Sequence, residues 1–286
     1  MRLAYDLHLP PGDIEKNLPP VILLHGMLDS RKTWKFIAPK IAKQTGRKVY
    51  AVDARNHGES PWSDEFTFDI LAEDLDSFLT QHNIRKATLV GHSMGGRTSL
   101  TLSLKKPERV EKLVVEDMHT KNFRPTEKSP IMHLLRILRE SIESIPSDME
   151  EDEVKQAMMQ FMEPLLGRNN NSKLARVKID MSMLPLKKHN GTYAWQTNLN
   201  ALETFLTTEK IRQHVQGIYL GDALFIYGTK SFFKVDKDPR ILECFPRSIK
   251  LGIEGGSHLI HFEDPKRFVY EVTNFINGYS DVKSKY

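Results

Sequence analysis

Residues 87–98 read ATLVGHSMGGRT. The first four form a short apolar run that predicts a buried β-strand, and residues 96–105 continue with the spacing of a helix. Between them, Ser93 stands in a Gly-x-Ser-x-Gly motif, which places a serine on a tight turn from strand to helix. Glycine at positions 91 and 95 leaves room for neighbouring backbone on both sides. Because strand, turn and helix occur together, the stretch indicates that Ser93 is a nucleophile.

The same alternation of short apolar runs and helical patterns extends outward in both directions. Near-continuous apolar strands are typical of a parallel sheet that helices cover on both faces. We therefore predict an α/β fold with a mostly parallel, doubly wound sheet. The predicted strands are residues 2–9, 21–24, 49–53, 87–90, 113–117, 223–227 and 249–253, and the clearest helices are residues 68–81, 96–105 and 265–278.

Residues 121–216 interrupt this alternation, because they contain no clear strand pattern and several helical ones. Helical spacing is clearest over residues 131–142 and 152–166. We predict that this segment is a helical cap, inserted after the strand that ends at Asp117 and lying over the sheet. The predicted divisions are residues 1–120 and 217–286 for the core domain and residues 121–216 for the cap.

A serine hydroxyl needs a base to accept its proton, and that base is expected late in the chain, after the last strand. His258 lies there, in a loop that begins with Gly255 and Gly256. A flexible loop allows the imidazole to reach over the edge of the sheet. His261 is the rival, but it begins the segment that leads into the last helix. We predict that His258 is the base and that His261 is structural.

The histidine in turn needs a carboxylate that holds its tautomer and stabilises the imidazolium. In many enzymes built this way the acid follows the strand predicted at residues 223–227, but Ser231 occupies that position here. Asp117 ends the strand predicted at residues 113–117, and functional groups of parallel sheets gather at such strand ends. Asp236 lies further along the chain, in a polar turn. We assign Asp117 as the acid, keep Asp236 as the alternative, and expect Ser231 to be a polar neighbour of the acid.

Two backbone N–H groups are needed to stabilise the negative charge that develops on a substrate oxygen during attack. Met94, directly after the nucleophile, is expected to supply one of them. Met27, in the loop after His25-Gly26, is expected to supply the other. His25 itself is predicted to organise this loop rather than to act on the substrate.

A polar turn at residues 53–60, with the sequence DARNHGES, contains two candidate metal ligands. His57 and Asp53 belong to the residue types that bind metals, but one turn does not by itself supply a converging set of ligands. We predict instead that Asp53 and Arg55 bond the backbone around Gly58. We expect neither a metal nor another cofactor.

Length, composition and charge exclude several classes of function. The 286 residues carry a formal charge of +4, with basic and acidic residues mixed, so no binding surface for nucleic acid is predicted. Cys244 is the only cysteine, which excludes an intramolecular disulfide and favours a reducing compartment. No apolar run is long enough to span a bilayer, and the N-terminus predicts a strand rather than a signal or transit peptide. We expect an intracellular, soluble protein.

Four motifs together resemble the α/β-hydrolase superfamily in order and spacing: His25-Gly26, residues 53–60, the Ser93 motif and Gly256-Ser257-His258. More closely, the chain looks like the subfamily of α/β-hydrolase domain-containing protein eleven and its bacterial esterase relatives. The stretches that carry this resemblance are residues 44–47, 52–61, 91–98 and 195–202. In that subfamily the acid follows the strand after the nucleophile helix and a serine takes the usual acid position, as Asp117 and Ser231 do here.

The resemblance implies a serine hydrolase that cleaves carboxylic esters through an acyl-enzyme on Ser93, with an acylglycerol-type lipid or an acyl thioester as a small-molecule or lipid substrate. It also implies a mitochondrial setting in eukaryotes, while a cytoplasmic one stays open because no transit peptide is visible. Serine rather than aspartate at position 93 argues against epoxide hydrolases and haloalkane dehalogenases. The alternative is a binding or scaffold protein that keeps the hydrolase fold, with weak or incidental catalysis.

Overall fold

The computed structural model describes residues 1–12, 18–121, 129–146, 149–162, 181–189, 192–208 and 215–278. Its strands are β1 (Tyr5–His8), β2 (Val21–Leu24), β3 (Val49–Val52), β4 (Ala87–His92), β5 (Val110–Glu116), β6 (Leu186–His189), β7 (Thr192–Trp195), β8 (Asp222–Gly228) and β9 (Ser248–Ile253). Its α-helices are α1 (Ala38–Thr45), α2 (Phe68–Gln81), α3 (Met94–Lys105), α4 (Pro130–Glu143), α5 (Glu151–Met162), α6 (Leu199–Thr207), α7 (Arg240–Cys244), α8 (Ile260–Glu263) and α9 (Pro265–Asn277).

Seven strands form one sheet, in the order β1-β3-β2-β4-β5-β8-β9. All neighbours pair in parallel except β1, which adds an antiparallel edge to β3. The predicted α/β fold with a mostly parallel sheet is therefore confirmed. β4 lies between β2 and β5, with Leu24 paired to Gly91 and His92 paired to Glu116. The loops after these three strands emerge side by side at the carboxyl edge of the sheet, where functional groups gather.

Two apolar layers, one on each face of the sheet, bury the strands. On one face, α2 and α3 contribute Phe78 and Leu100, and on the other, α1 and α9 contribute Ile41 and Phe268. Fully burying a side chain of this size stabilises a fold by about 1.5–3 kcal/mol. The helical spacing predicted over residues 68–81 matches the bounds of α2, because its apolar side packs against the sheet.

The segment between β5 and β8 contains α4, α5 and α6, together with a hairpin that the sequence did not predict. β6 and β7 pair antiparallel, and Tyr193 and Trp195 are buried on one side of β7. The expectation of no strand in this segment was therefore wrong, because four residues are too few to establish a period of two. Trp195 Nε1 donates to the Leu138 carbonyl at 2.7 Å and anchors the hairpin to α4.

Helix α5 (Glu151–Met162) covers the described part of the helix predicted over residues 152–166. Residues 163–166 lie outside the described part of the chain. No helix of the described ranges combines the length and apolar character that crossing a membrane requires.

Ser93 occupies the turn between β4 and α3, at φ 50° and ψ −112°. This conformation costs a residue with a side chain of order 1–3 kcal/mol, so surrounding contacts must hold it. Gly91 and Gly95 permit those contacts. A Cβ on Gly91 would lie 2.3 Å from the Gly95 oxygen, and one on Gly95 would lie 2.3 Å from the Leu24 oxygen. The glycine spacing of the motif thus serves close backbone packing, as predicted.

We expect Gly95→Ala to lower the free energy of unfolding by about 3 kcal/mol, the upper end of the usual cost of overpacking. The clashing Leu24 oxygen belongs to the backbone of a central strand and has little freedom to move. Gly278→Ala is the control, since nothing lies within 4 Å of its Cβ position. An alanine at position 278 is destabilised only by the left-handed backbone conformation, by about 1–2 kcal/mol. Urea unfolding measures both variants, and equal losses would contradict the packing explanation.

Candidate active site

Asp117 directly follows β5 and is fully buried. Its backbone is left-handed, with φ 48°, and its amide donates to the Ile226 carbonyl of neighbouring β8 at 2.9 Å. Its carboxylate accepts hydrogen bonds from the Gly228 amide at 3.1 Å and from the Ser231 hydroxyl. A buried carboxylate is tolerated where such donors surround it. Ser231 is thus a polar neighbour of Asp117.

The His258 ring lies against Asp117, with Nδ1 2.7 Å from Oδ2. This contact orients the ring and leaves Nε2 available for proton transfer. The His258 side chain is 22% exposed, so the ring is accessible to solvent. Asp236 is exposed on the 3₁₀ turn Val235–Lys237. Of the two acids that the sequence allowed, Asp117 is the one that lies against His258.

Ser93 is partly exposed at the elbow, and its amide donates to the Glu116 carbonyl at 3.0 Å. The preceding residue links it to His258: the centroids of the His92 and His258 rings are 4.6 Å apart, and His92 Nε2 lies 3.0 Å from the His258 carbonyl. Among the described residues, no hydrogen bond joins the Ser93 hydroxyl to His258. Such bonds are often long in the absence of substrate and tighten in the complex.

Two elements that carry the predicted oxyanion donors meet at Ser93. Met94 is the first residue of α3, where the helix dipole favours negative charge. The loop after β2 approaches from the other side, since a Cβ on Gly26 would lie 3.6 Å from the Ser93 Cβ. Within the described ranges, the Gly95 amide donates to a backbone carbonyl, whereas the amides of Met27 and Met94 take part in no hydrogen bond. An oxyanion hole requires two such donors beside the nucleophile.

Glu116, the last residue of β5, holds the second histidine of the late loop. Its Oε1 lies 2.8 Å from His261 Nδ1 and 2.9 Å from the His261 amide. On the other side of the ring, Nε2 contacts the Thr33 hydroxyl at 3.1 Å. Both side chains are fully buried, which fits a structural role for His261. Sequence reasoning missed Glu116, although two adjacent acids at a strand end and two histidines three residues apart were a usable signal.

His92 completes a buried cluster with Glu116 and His261, all three of which are residue types that bind metals. The direct hydrogen bond between Glu116 and His261 already joins two of the three side chains. Burial lowers the pKa of His92 well below its ordinary value, and the nearby histidines lower it further. His92 is therefore neutral, and its Nε2–H donates to the His258 carbonyl, which can only accept.

Asp53 ties together the turn at residues 53–60. Its buried carboxylate accepts hydrogen bonds from the amides of Glu59 at 2.9 Å and Arg31 at 2.6 Å, and it pairs with the Arg31 guanidinium. Gly58 is required beside it, because φ is 56° and a Cβ would lie 2.2 Å from Asp53 Oδ2. The prediction that Asp53 bonds the backbone around Gly58 is confirmed.

The corresponding prediction for Arg55 is wrong. Its guanidinium donates to the carboxylate of Asp74 on α2 at 2.5 and 2.9 Å and to the Glu65 carbonyl at 2.8 Å. A buried guanidinium is better stabilised by a planar carboxylate that accepts two parallel hydrogen bonds than by backbone carbonyls alone. Asp74 is 19 residues away in the chain, so local sequence did not reveal this partner.

Two buried histidines, His25 and His57, flank the turn and the loop that carries Met27. Their ring centroids are 5.1 Å apart. Burial lowers the pKa of His25 to about 4. The pKa of His57 is lowered to about 3, mainly by burial and to a smaller extent by the nearby His25. Both rings are therefore neutral at pH 7, and each offers one donor and one acceptor nitrogen.

Comparison with known proteins identifies the family. Residues 19–265 match the family described as alpha/beta hydrolase fold. The chain belongs to this family. The α/β-hydrolase fold accounts for the parallel sheet and for the serine elbow after its central strand.

Individual relatives of this α/β hydrolase are enzymes of acyl chemistry by name. The chain is 31% identical over 280 residues to the sn-1-specific diacylglycerol lipase ABHD11 of Danio rerio, and the alignment covers 96% of this chain and 83% of the relative. It is 28% identical over 293 residues to ethanol acetyltransferase 1 of Cyberlindnera jadinii, covering 97% and 87%. Among solved structures, a marine microorganism esterase is similar with a TM-score of 0.75 and 28% identity, covering 96% of this chain and 98% of that one.

We expect the free energy of unfolding to fall as the pH decreases from about 6.5 to about 4. In this window the unfolded chain takes up protons at His25 and His57 that the native hydrolase excludes, because burial lowers both native pKa values. Above this window neither state binds these protons, so the contribution is constant. Each excluded proton changes the free energy of unfolding by up to about 1.4 kcal/mol per pH unit.

Urea unfolding of wild type and His57→Gln at several pH values from about 7 to about 4.5 measures this effect. Burial raises the pKa of Asp29 to about 6, so protonation of Asp29 stabilises the native state as the pH falls. Asp29 is present in both proteins, so the difference between their pH dependences reports on His57. The variant should lose stability less steeply on acidification. Parallel slopes for the two proteins would contradict the exclusion of a proton from His57.

Proposed function

We propose that the chain is a serine hydrolase that cleaves carboxylic esters through an acyl-enzyme formed on Ser93. The observation that carries this proposal is the hydrogen bond of 2.7 Å between His258 Nδ1 and Asp117 Oδ2, beside a serine on a strained elbow. A nucleophile, a base and an acid are the groups that acyl transfer requires. The similarity to a diacylglycerol lipase and to an esterase supports the same chemistry.

In the proposed reaction, Ser93 Oγ attacks the ester carbonyl while His258 Nε2 takes its proton. The amides of Met27 and Met94 donate to the oxyanion that forms. Collapse of the tetrahedral intermediate breaks the ester C–O bond, and His258 gives the proton to the leaving alcohol. Water then attacks the acyl-enzyme with His258 as base, which releases the carboxylic acid and restores Ser93. Asp117 keeps the His258 tautomer and stabilises its imidazolium in both halves.

An apolar wall beside the proposed oxyanion donors supports acyl esters as substrates. Met27 and Leu28 pack against a buried cluster that contains Met94 and side chains from α2, α4 and α6. Its other buried members are Phe66, Phe68, Leu71, Leu135, Leu202, Phe205 and Leu206. Each CH₂ group of a bound hydrocarbon chain buried here would contribute about 0.8 kcal/mol. We propose acylglycerol-type lipids as the main substrate class and acyl thioesters as the second.

A second candidate is acyl transfer to an alcohol, which the similarity to ethanol acetyltransferase 1 favours. The first half of the reaction is unchanged. In the second half an alcohol hydroxyl attacks the acyl-enzyme, its proton passes to His258, and a new ester leaves instead of an acid. The alternative from a different class is a binding or scaffold protein with incidental catalysis, which predicts negligible hydrolysis and negligible acyl transfer.

We also propose a mitochondrial location, on the subfamily resemblance of the sequence alone. Cell fractionation tests this location.

We expect a fluorophosphonate probe to label wild type at Ser93, and Ser93→Ala to lose both labelling and ester turnover, the latter by at least about 10⁴-fold. A panel of acylglycerols, simple esters and thioesters of graded chain length, each assayed with and without ethanol, measures turnover and the ratio of acid to new ester. The folded Ser93→Ala variant is the control for uncatalysed hydrolysis. A folded wild type that is neither labelled nor active on the panel would refute the proposed function.

The two candidate acids are distinguished by a matched pair of amide substitutions. By analogy with other triads, we expect Asp117→Asn to lower kcat by roughly 10⁴-fold, because an amide favours the wrong His258 tautomer. Asp236→Asn should leave kcat within about twofold, since that side chain is exposed. Steady-state kinetics on the best ester of the panel measures both. A near-normal Asp117→Asn with an inactive Asp236→Asn would reverse the assignment.

A further inference from the structure

The loop that carries Met27 is bound on both sides by buried imidazoles. We call residues 26–28 the oxyanion loop. Leu28 has φ 68°, a left-handed conformation that a leucine adopts only where contacts hold it. His25 Nδ1 lies 2.7 Å from the Gly26 carbonyl, and His57 Nε2 lies 3.3 Å from the Leu28 amide. The residues before and after Met27 are thus each bound by one ring.

His57 makes its contact in only one protonation state. Its Nδ1 lies 2.9 Å from the Arg55 carbonyl, which can only accept, so Nδ1 carries the proton and Nε2 accepts from the Leu28 amide. His25 is constrained in the same way, since its Nε2 accepts from the Ala54 amide at 3.0 Å. Both rings are buried, which keeps them neutral and keeps both acceptor nitrogens available.

Asn198, the N-cap of α6, connects the cap to the residue that precedes His57. The Asn198 amide donates to the Asn56 carbonyl at 2.9 Å, and its Nδ2 donates to Asn56 Oδ1 at 3.3 Å. The Oδ1 atom of Asn198 accepts from the Ala201 amide at 3.2 Å and fixes the start of α6. Asn56 directly precedes His57 and is itself left-handed, with φ 65°. The first turn of α6 is therefore tied to the backbone that carries His57.

The oxyanion loop also contacts the cap through its side chain. Leu28 and Leu199, the first residue of α6, both pack against the same two apolar clusters, one shared by α2, α4 and α6 and one formed by α4, α5 and the β6–β7 hairpin. The first turn of α6 is therefore linked to the loop by two routes, one of hydrogen bonds through the polar turn at residues 53–60 and one through the apolar clusters against which both pack.

We propose that His57 is a positioning residue of the oxyanion hole. By accepting from the Leu28 amide it sets the direction of the preceding Met27 amide, and through Asn56 and Asn198 it ties that direction to the position of α6. The inference rests on the proposed function, in which Met27 supplies an oxyanion donor. Such a donor must lie about 2.7–3.1 Å from the developing anion, so a small rotation of the loop slows the reaction without weakening substrate binding.

Two substitutions at position 57 separate its two hydrogen bonds. His57→Gln keeps an oxygen near the position of Nε2 that accepts from the Leu28 amide, but it loses the donor to Arg55. His57→Asn keeps a donor near the position of Nδ1 but carries no atom that reaches Leu28. We expect His57→Asn to lower kcat by about 10–10²-fold with little change in KM, less than the roughly 10²–10³-fold loss of a deleted donor. His57→Gln should keep most of the wild-type kcat.

A trifluoromethyl ketone tests the geometry without turnover, because its adduct with a nucleophilic serine places an oxyanion in the hole. We expect the inhibition constant of the ketone to rise in His57→Asn by the same factor by which kcat/KM falls. In His57→Gln the inhibition constant should stay near the wild-type value. Active-site titration with a fluorophosphonate and thermal unfolding establish the active, folded fraction of each variant.

The cap connection is tested with Asn198→Asp, which keeps the acceptor for the Ala201 amide but loses the Nδ2 donor to Asn56. We expect a change in the same direction as for His57→Asn, but smaller, of about 3–10-fold in the inhibition constant. Equal losses in the two position-57 variants, or losses explained by a smaller active fraction, would overturn the proposal.

The ketone also separates this inference from the proposed function. A wild type that forms the adduct but turns over no ester contradicts the proposed function, while the inhibition constants of the variants still decide the role of His57. A wild type that forms no adduct at Ser93 contradicts both, because no oxyanion hole then serves that serine.

Discussion

Close backbone packing around Ser93 is the constraint on which the rest of the site depends. The strained turn persists because Gly91 and Gly95 let the elbow approach its own helix and the backbone of Leu24. As a result the Gly95 amide reaches the carbonyl at the start of the β2 loop, and the Ser93 amide reaches the carbonyl of Glu116. The ends of three neighbouring strands are thereby joined through the turn. A side chain at either glycine would separate these strand ends, and with them Ser93, Asp117 and residues 26–28.

Two adjacent acids extend this order to the late histidine loop. Asp117, directly after β5, lies against His258, and Glu116, the last residue of β5, lies against His261. The loop after β9 is therefore bound at two points, and His92 adds a third contact at the His258 carbonyl. A loop that begins with two glycines would otherwise have many conformations open to it. The buried contact between Glu116 and His261 thus restricts the segment from which the partly exposed ring of His258 projects.

The parts of the fold that followed from the sequence were those with a regular local pattern. The apolar runs predicted the six parallel strands, and helical spacing predicted α2, because both signals arise between residues a few positions apart. The β6–β7 hairpin was missed, since its four-residue strands are not continuous apolar runs like β2 and β3 and are too short to establish a period of two, although the sequence Asn190-Gly191 between them is a common hairpin signal. The partner of Arg55 was missed for a different reason, because Asp74 meets it only when α2 packs against the turn.

The sequence by itself determined the fold class, the elbow with Ser93, and the choice of His258 as the base candidate, since each depends on a motif and on its order along the chain. Only the tertiary structure decided which acid lies against His258, because the two residues are 141 positions apart and meet where the end of β5 lies beside the late loop. It also decided that the turn at residues 53–60 binds the oxyanion loop rather than standing alone. The spacing of apolar residues along the chain reflects the local geometry of each strand and helix. The polar partners at this site depend instead on the order of the strands in the sheet, because that order decides which strand ends lie side by side.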